Sequence, residues 1–527
     1  MKFTWRKAGL SVACATLIFA SQPLAAFGKA GSGKPFVLEE ATVESIHAAF
    51  ADKELSCAEL VQGYLDRIEA YDRKGPALHS ILNVNPEALK IAKEKDLEYE
   101  NSRGKVGSLH CIPVILKDNF NTVDMPTTGG NLAMRDSVPA SDAFTVEKMR
   151  QAGAIILAKS NLQEFARGGV SVSSLGGQVL NPYDLTRTPG GSSGGTGSAI
   201  AANFGVLGTG SDTGQSIRSP ASANNLVGVR PTRGLISRSG VMPNSFTQDE
   251  IGPITRTVED AARMLDVMAG YDPNDPITAF QIGRTPESYL DQLDKNALRG
   301  ARIGVMTNLY GKEARHREVN KVMESVISTM EKNRATIVRF SLPEYDELSP
   351  IVGTSQWEAR SAMDRYFSEL GPKAPIKSFQ QLVDSKTAVK EIQKTLESEI
   401  AVEDGLRDPE YLERTLNRDK LRLAVSKKMA ELDLDAILYP LQKVLVVKAG
   451  ETDQPERNGT LSNGTGFPAV TFPGGFSAPT STAPLGVPVG AELLGRDYSE
   501  GLLLSLAYAF EQAADNRKPP VSTPPLK

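Results

Sequence analysis

Cysteine is scarce in this chain of 527 residues: Cys14, Cys57 and Cys111 are all there are. That excludes a disulfide scaffold and leaves room for a single bridge at most. Histidine is nearly as rare, with His47, His79, His110 and His316 scattered singly. Neither residue type clusters at metal-ligand spacing, so no resident metal or other cofactor is expected. Basic residues do not dominate either, since 59 Lys and Arg face 63 Asp and Glu for a formal net charge of -4. Without a basic stripe the chain lacks the footprint of a nucleic-acid partner. Long apolar runs are missing beyond the N-terminus, which leaves no stable membrane anchor.

The N-terminal run reads as an address. Lys2, Arg6 and Lys7 precede AGLSVACATLIFA (Ala8 to Ala20), and the small residues of SQPLAA follow. A basic start, a short apolar core and small residues at the end make a secretory signal peptide, residues 1–26, cleaved near Ala26. The mature chain, residues 27–527, would be secreted or periplasmic and would keep Cys57 and Cys111. Cys57 falls in the first turn of a helix opened by the capping box Ser56-x-x-Glu59, and Cys111 opens an apolar strand. The two are read as buried free thiols in preference to a pair. GKAGSGKP (Gly28 to Pro35) fits G-x-x-x-x-G-K, but Pro35 stands where a phosphate loop needs Ser or Thr, so the stretch is read as a flexible tail.

What is present is an alternation of helical and strand-like segments. SCAELVQGYLDRIEAY places Leu60, Val61, Tyr64, Leu65 and Ile68 on one helix face. CIPVIL, AIILA, ARIGVM, ATIVRF, AILYP and AVTF begin at Cys111, Ala154, Ala301, Ala335, Ala436 and Ala469. Such short apolar runs suit a sheet covered on both faces, and the class is α/β. Residues 283–433 are charged and read as helix-rich.

Glycine and serine concentrate in two stretches. GGSSGGTGSA, from Gly190 to Ala199, matches the nucleophile-elbow pattern G-x-S-x-G around both Ser192 and Ser193. An elbow needs a downstream histidine, and only His316 qualifies; in GKEARHREVN it reads as a solvated surface residue. An elbow also needs an apolar strand before the serine, whereas NPYDLTRTPGGSS reads as a loop. A Ser-His-Asp triad is therefore not expected. The second stretch, GTGSDTGQSIRSPAS (Gly208 to Ser222), puts Ser216 after Thr213, Gly214 and Gln215, a turn that can aim successive backbone N–H groups at one point. Upstream, Lys117 closes CIPVILK, where burial could hold its amine neutral and so make it a base. Asp118 would oppose that if its carboxylate faced the amine. Asp212 and Arg218 flank the turn and read as a structural ion pair. Asn458-Gly-Thr and Asn463-Gly-Thr would be glycosylation acceptors if exposed in a eukaryotic source.

Together these elements resemble the amidase signature family of serine hydrolases. Lys117 in CIPVILKD matches the family's base, Ser192 in GGSSGG its bridging serine, and Ser216 in DTGQSIR its nucleophile. TTGGNLAM, ILAKSNLQEFA, DEIGPITRTVEDAA and GFPAVTFPGGF also look like the family's, so the resemblance covers nearly the whole mature chain. Two positions depart from it. Cys111 and Gln215 stand where the family usually has glycine, and any φ > 0 at Gln215 would be strained.

The resemblance implies a single α/β/α domain around a large mixed β-sheet, and a secreted amidase of the peptide-amidase-like branch acting on a small-molecule or peptide amide. In the implied relay Lys117 accepts the proton of Ser192 while Ser192 takes that of Ser216, which attacks the carbonyl and becomes acylated. Backbone N–H groups of Thr213, Gly214, Gln215 and Ser216 would form the oxyanion hole. Ser193 would support the network by hydrogen bonding or serve structure alone, and the peptide bond before Ser192 would be cis. The family's tRNA-dependent amidotransferase branch fits badly with an exported chain. An esterase or aryl acylamidase using the same relay is the near alternative. A non-catalytic binding protein on the same scaffold is the distant one, and intact Lys117, Ser192 and Ser216 argue against it.

Overall fold

A computed structural model describes residues 36–526. The expected signal peptide and the GKAGSGKP stretch lie outside the described residues. Each of the six apolar runs becomes a strand. In chain order the main sheet is built from β1 (Ile81–Val84), β2 (Pro113–Lys117), β3 (Ile155–Ser160), β4 (Leu207–Asp212), β5 (Val227–Arg230), β6 (Glu250–Thr255), β7 (Arg302–Met306), β8 (Thr336–Phe340), β9 (Ala436–Pro440), β10 (Ala469–Phe476) and β11 (Pro488–Leu494). These eleven strands lie in the order β1-β3-β2-β4-β6-β5-β10-β11-β9-β7-β8. The trios β3-β2-β4 and β9-β7-β8 are parallel, and the other neighbours are antiparallel. Helices flank this mixed sheet, and β2, β3, β4, β9 and β11 are buried at every position. That double coverage is why β2, β3 and β9 read as near-continuous apolar runs.

The helix Cys57–Arg67 starts at the expected capping box, with Ser56 and Glu59 exchanging hydrogen bonds. The cysteine reading needs correction, because Cys57 and Cys111 form a disulfide with their Cα atoms 5.7 Å apart. Tertiary packing joins residues 54 positions apart, a proximity that no local pattern encodes. Residues 283–433 contain β7, β8 and the helices Arg317–Lys332, Ser355–Glu369, Phe379–Asp384, Lys390–Ile400 and Pro409–Glu431.

The sheet also sets where chemistry can gather. β2 and β4 are parallel neighbours, with Val114 opposite Leu207 and Ile115 opposite Gly208. Their C-terminal ends, Lys117 and Asp212, therefore emerge on the same edge. GGSS leads into the helix Gly194–Ala201, which packs on both strands.

Candidate active site

Lys117 is fully buried at the end of β2. Its Nζ lies 2.7 Å from Ser192 Oγ, 2.8 Å from Ser211 Oγ and 3.3 Å from the Ser211 carbonyl oxygen. Among the described residues no carboxylate touches it. Burial pushes the amine down to about 7, against the upward pull of Asp212 and Asp249. Asp118 does not face it: it lies in the turn that ends β2, closed by the Phe120 N–H donating to the Lys117 carbonyl (3.1 Å), and its carboxylate meets Lys159 Nζ at 3.1 Å instead.

The peptide bond between Gly191 and Ser192 is cis. A Cβ on Gly191 would stand 2.7 Å from the carbonyl carbon of Gly169, so only glycine lets the two loops meet. Ser192 accepts a hydrogen bond at its carbonyl from the Gln163 N–H (2.9 Å). Ser193 joins the two serine stretches. Its N–H donates to the Ser216 carbonyl (3.2 Å) and its hydroxyl to the Ser211 carbonyl (3.4 Å).

Between β4 and the helix Arg218–Ala223 lies the turn from Thr213 to Ser216, and each of its carbonyls is held. Thr213 O accepts from Gln248 Nε2 (3.2 Å) and Gly214 O from Asn463 Nδ2 (2.9 Å) and Arg218 Nη2 (2.5 Å). Gln215 O accepts from the Ser219 N–H (2.7 Å), and Ser216 O from the Ser193 N–H (3.2 Å). In a planar trans peptide the next N–H points away from the carbonyl, so these ties turn the following donors to the other side. Among the described residues none accepts a hydrogen bond from the N–H of Thr213, Gly214, Gln215 or Ser216. Unpaired donors so arranged suit a negatively charged oxygen. Gln215 is not in the left-handed region, so the anticipated strain is absent there; it falls on Cys111, with φ +65°.

Asp212 behaves as a structural anchor. It meets Arg218 Nε at 3.0 Å and Arg230 Nη1 at 2.9 Å, all three side chains being buried. Burial alone would raise its carboxyl, but the two guanidiniums bring it down to about 2. Two readings change. Asn458 and Asn463 are buried, their amides spent on the backbone carbonyls of Leu309, Pro440 and Gly214, so neither is a glycosylation acceptor. His316 is only 3% exposed. Its Nδ1 accepts from the Glu313 N–H (2.8 Å) while its Nε2 meets the Glu456 carboxylate. With both ring nitrogens taken, it is not hydrogen-bonded to any serine.

Sequence reasoning passed over Ser211, although it lies inside the GTGSDTGQS stretch, and over Gln248 and Asp249, whose partners come only with the fold. Ser211 and Asp249 also line a cavity of about 610 Å³, together with Met242, Tyr366 and Arg238.

The amidase family model matches residues 59–504. The chain is 35% identical over 491 residues to a glutamyl-tRNA(Gln) amidotransferase subunit from Alkaliphilus metalliredigens, covering 90% of this chain and 96% of that one. A probable amidase of Arabidopsis thaliana is 33% identical over 507 residues, 92% of each chain. The crystal structure of the native peptide amidase from Stenotrophomonas maltophilia superposes with a TM-score of 0.82 at 35% identity, covering 92% of this chain and 99% of that one. On sheet, sequence and extent alike, this chain belongs to the amidase family, the amidase-signature hydrolases of carbon–nitrogen bonds.

Proposed function

We propose that the protein hydrolyses a carboxylic amide through a Ser216 acyl-enzyme, using Ser192 and Lys117 as the proton relay. The observation that carries this is Lys117, buried without a contacting carboxylate and 2.7 Å from Ser192 Oγ. Neutral Lys117 accepts the proton of Ser192, Ser192 takes that of Ser216, and Ser216 Oγ bonds to the amide carbon. The N–H groups from Thr213 to Ser216 hold the developing oxyanion, each effective donor contributing roughly 3–4 kcal/mol. When the C–N bond breaks, the relay returns its proton to the leaving nitrogen. Water then gives its proton to the same relay and attacks the ester, releasing acid and free Ser216.

The cavity, which borders the relay through Ser211 and is not lined by Ser216 itself, is of a size for a small amide or the end of a peptide. Six carboxylates and two guanidiniums line it, Asp142, Glu147, Asp249, Asp272, Asp275 and Glu369 against Arg238 and Arg365. A neutral or cationic amide, such as a peptide with an amidated C-terminus, meets less repulsion there than a free acid, in keeping with the peptide amidase likeness. Esters would pass through the same acyl-enzyme, and matched amide and ester substrates measure the preference. The Cys57–Cys111 disulfide supports export, since such bonds persist in oxidising compartments; recovery from the cytosol with Met1 retained would refute it. A fluorophosphonate should label the wild type but not Ser216→Ala, and an adduct mapped to another serine would overturn the assignment.

A further inference from the structure

We propose that Gln248 is a positioning residue that couples the helix Ser355–Glu369 to the turn Thr213–Ser216, so that occupancy of the cavity is felt as turnover. This rests on the Ser216 reading above. Gln248 is buried just before β6 and uses both ends of its amide. Its Oε1 accepts from Thr354 N (2.6 Å), Thr354 Oγ1 (2.8 Å) and Ser355 N (3.2 Å). The first N–H groups of a helix have no partner within it, and Thr354 makes no side-chain cap. Gln248 supplies that cap from outside. Its Nε2 donates to the Thr213 carbonyl (3.2 Å), and the next residue, Asp249, accepts from Thr213 Oγ1 (2.6 Å).

Thr213 is thus gripped at two points by consecutive residues, one of them tied to the helix. Glu358 of that helix strengthens the tie, accepting from the Thr247 N–H (3.1 Å), Thr247 Oγ1 (2.8 Å) and Ser245 Oγ. The same helix lends Ala362, Arg365, Tyr366 and Glu369 to the cavity wall. A substrate that moves the helix moves Thr213 O through Gln248 and, across one planar peptide, the N–H of Gly214. A donor aimed at an oxyanion acts on the transition state and not on ground-state binding. The coupling therefore belongs in kcat.

Gln248→Glu tests it, because the variant keeps an acceptor for the helix and puts an oxygen where Nε2 faced Thr213. kcat should fall about 10- to 100-fold with KM within about threefold, and a peptide aldehyde that mimics the tetrahedral state should weaken by the factor seen in kcat. Substrates long enough to reach the helix should lose their kcat advantage over short amides. Thr354→Val deletes the hydroxyl that bonds Gln248 Oε1 (2.8 Å) and Thr247 Oγ1 (2.7 Å) and leaves the backbone bonds to Gln248; its effect should be smaller and non-additive with Gln248→Glu, and it carries the test if Gln248→Glu fails to fold. A loss confined to KM, additive effects or an unchanged long-to-short ratio would overturn the coupling. Failure of a fluorophosphonate to label wild-type Ser216 would overturn the amidase reading, and the coupling with it.

Discussion

Two lysines stand on neighbouring strands of one sheet, Lys117 at the end of β2 and Lys159 near the end of β3, and both are fully buried. Lys159 meets the Asp118 carboxylate at 3.1 Å and donates to the carbonyls of Phe120 (2.8 Å) and Pro126 (3.1 Å) and to Thr127 Oγ1 (2.9 Å). Lys117 meets two serine hydroxyls and one carbonyl. Burial pulls both amines below the ordinary lysine range, but only Lys159 has a contacting carboxylate to oppose the fall. A charge buried with its counter-ion serves structure, whereas an amine buried among hydroxyls is free to lose its proton. On the relay proposed above, the difference between a strut and a base is one carboxylate. Asp118 follows Lys117 directly in sequence, and the turn that ends β2 places its carboxylate on the other lysine.

Activity breaks the comparison most sharply. Ser216→Ala should lower kcat by about 10⁶-fold and Lys117→Ala by at least about 10²-fold. In the wild type kcat/KM should rise with pH through a limb near 7, where burial has placed the amine of Lys117. Lys117→Ala should lose that limb, measured with an amide that does not ionise. A limb unchanged in the mutant would hand the role of base to another group.

Stability breaks it in the opposite direction. Lys159→Met leaves the Asp118 carboxylate buried beside Thr128 without its cation, a loss of about 3–5 kcal/mol by urea or thermal unfolding. Adding Asp118→Leu should recover part of it, because replacing both members of a buried pair costs far less than removing one. Folded Lys159→Met protein should keep the pH limb, and a limb that moved by a full unit would make Lys159 part of the relay.

That division of labour was only half legible in the sequence. CIPVILK announced β2, because a continuous apolar run ending in lysine has few other readings, and the serine stretches announced the turn. β4 stayed hidden, since LGTGSD has no apolar run. It is a strand because β2 and β6 pair with it, and it is glycine-rich because a Cβ on Gly208 would stand 2.5 Å from Thr196 of the helix laid across it. Ser211 was lost along with the strand. His316 deceived through its charged neighbours, since the residue that covers it, Glu456, lies 140 positions away. The disulfide was misjudged for the same reason. Contacts between distant segments decide burial, and periodicity reports only the faces of single elements.

The disulfide sharpens the contrast between the strands, for Cys111 stands two residues before β2 and so staples the strand of Lys117. Removing it with Cys57→Ala should cost about 2–4 kcal/mol. Cys111→Gly loses the same bond but puts glycine where φ is +65°, and should be the more stable of the two by about 0.4–1 kcal/mol. Equal unfolding midpoints would show that the left-handed backbone at Cys111 carries no penalty.

The pH dependence of stability tests the contrast at its root. An ordinary lysine titrates at 10.5, and burial brings Lys117 to about 7 in the folded protein. Between those values the unfolded chain holds a proton that the folded chain has given up, so ν_U exceeds ν_N and stability rises with pH. Below about 7 both states hold the proton and the penalty of burial is present in full; above 10.5 neither holds it. The stability difference between wild type and Lys117→Met should therefore shift in favour of the wild type by about 1.4 kcal/mol per pH unit across the middle of that window. Urea unfolding between about pH 7.5 and 9.5, both limits set within the window, reads the slope directly. A difference that did not change with pH would mean that Lys117 keeps its proton when folded. It would then be a second strut beside Lys159, and the relay would have no base.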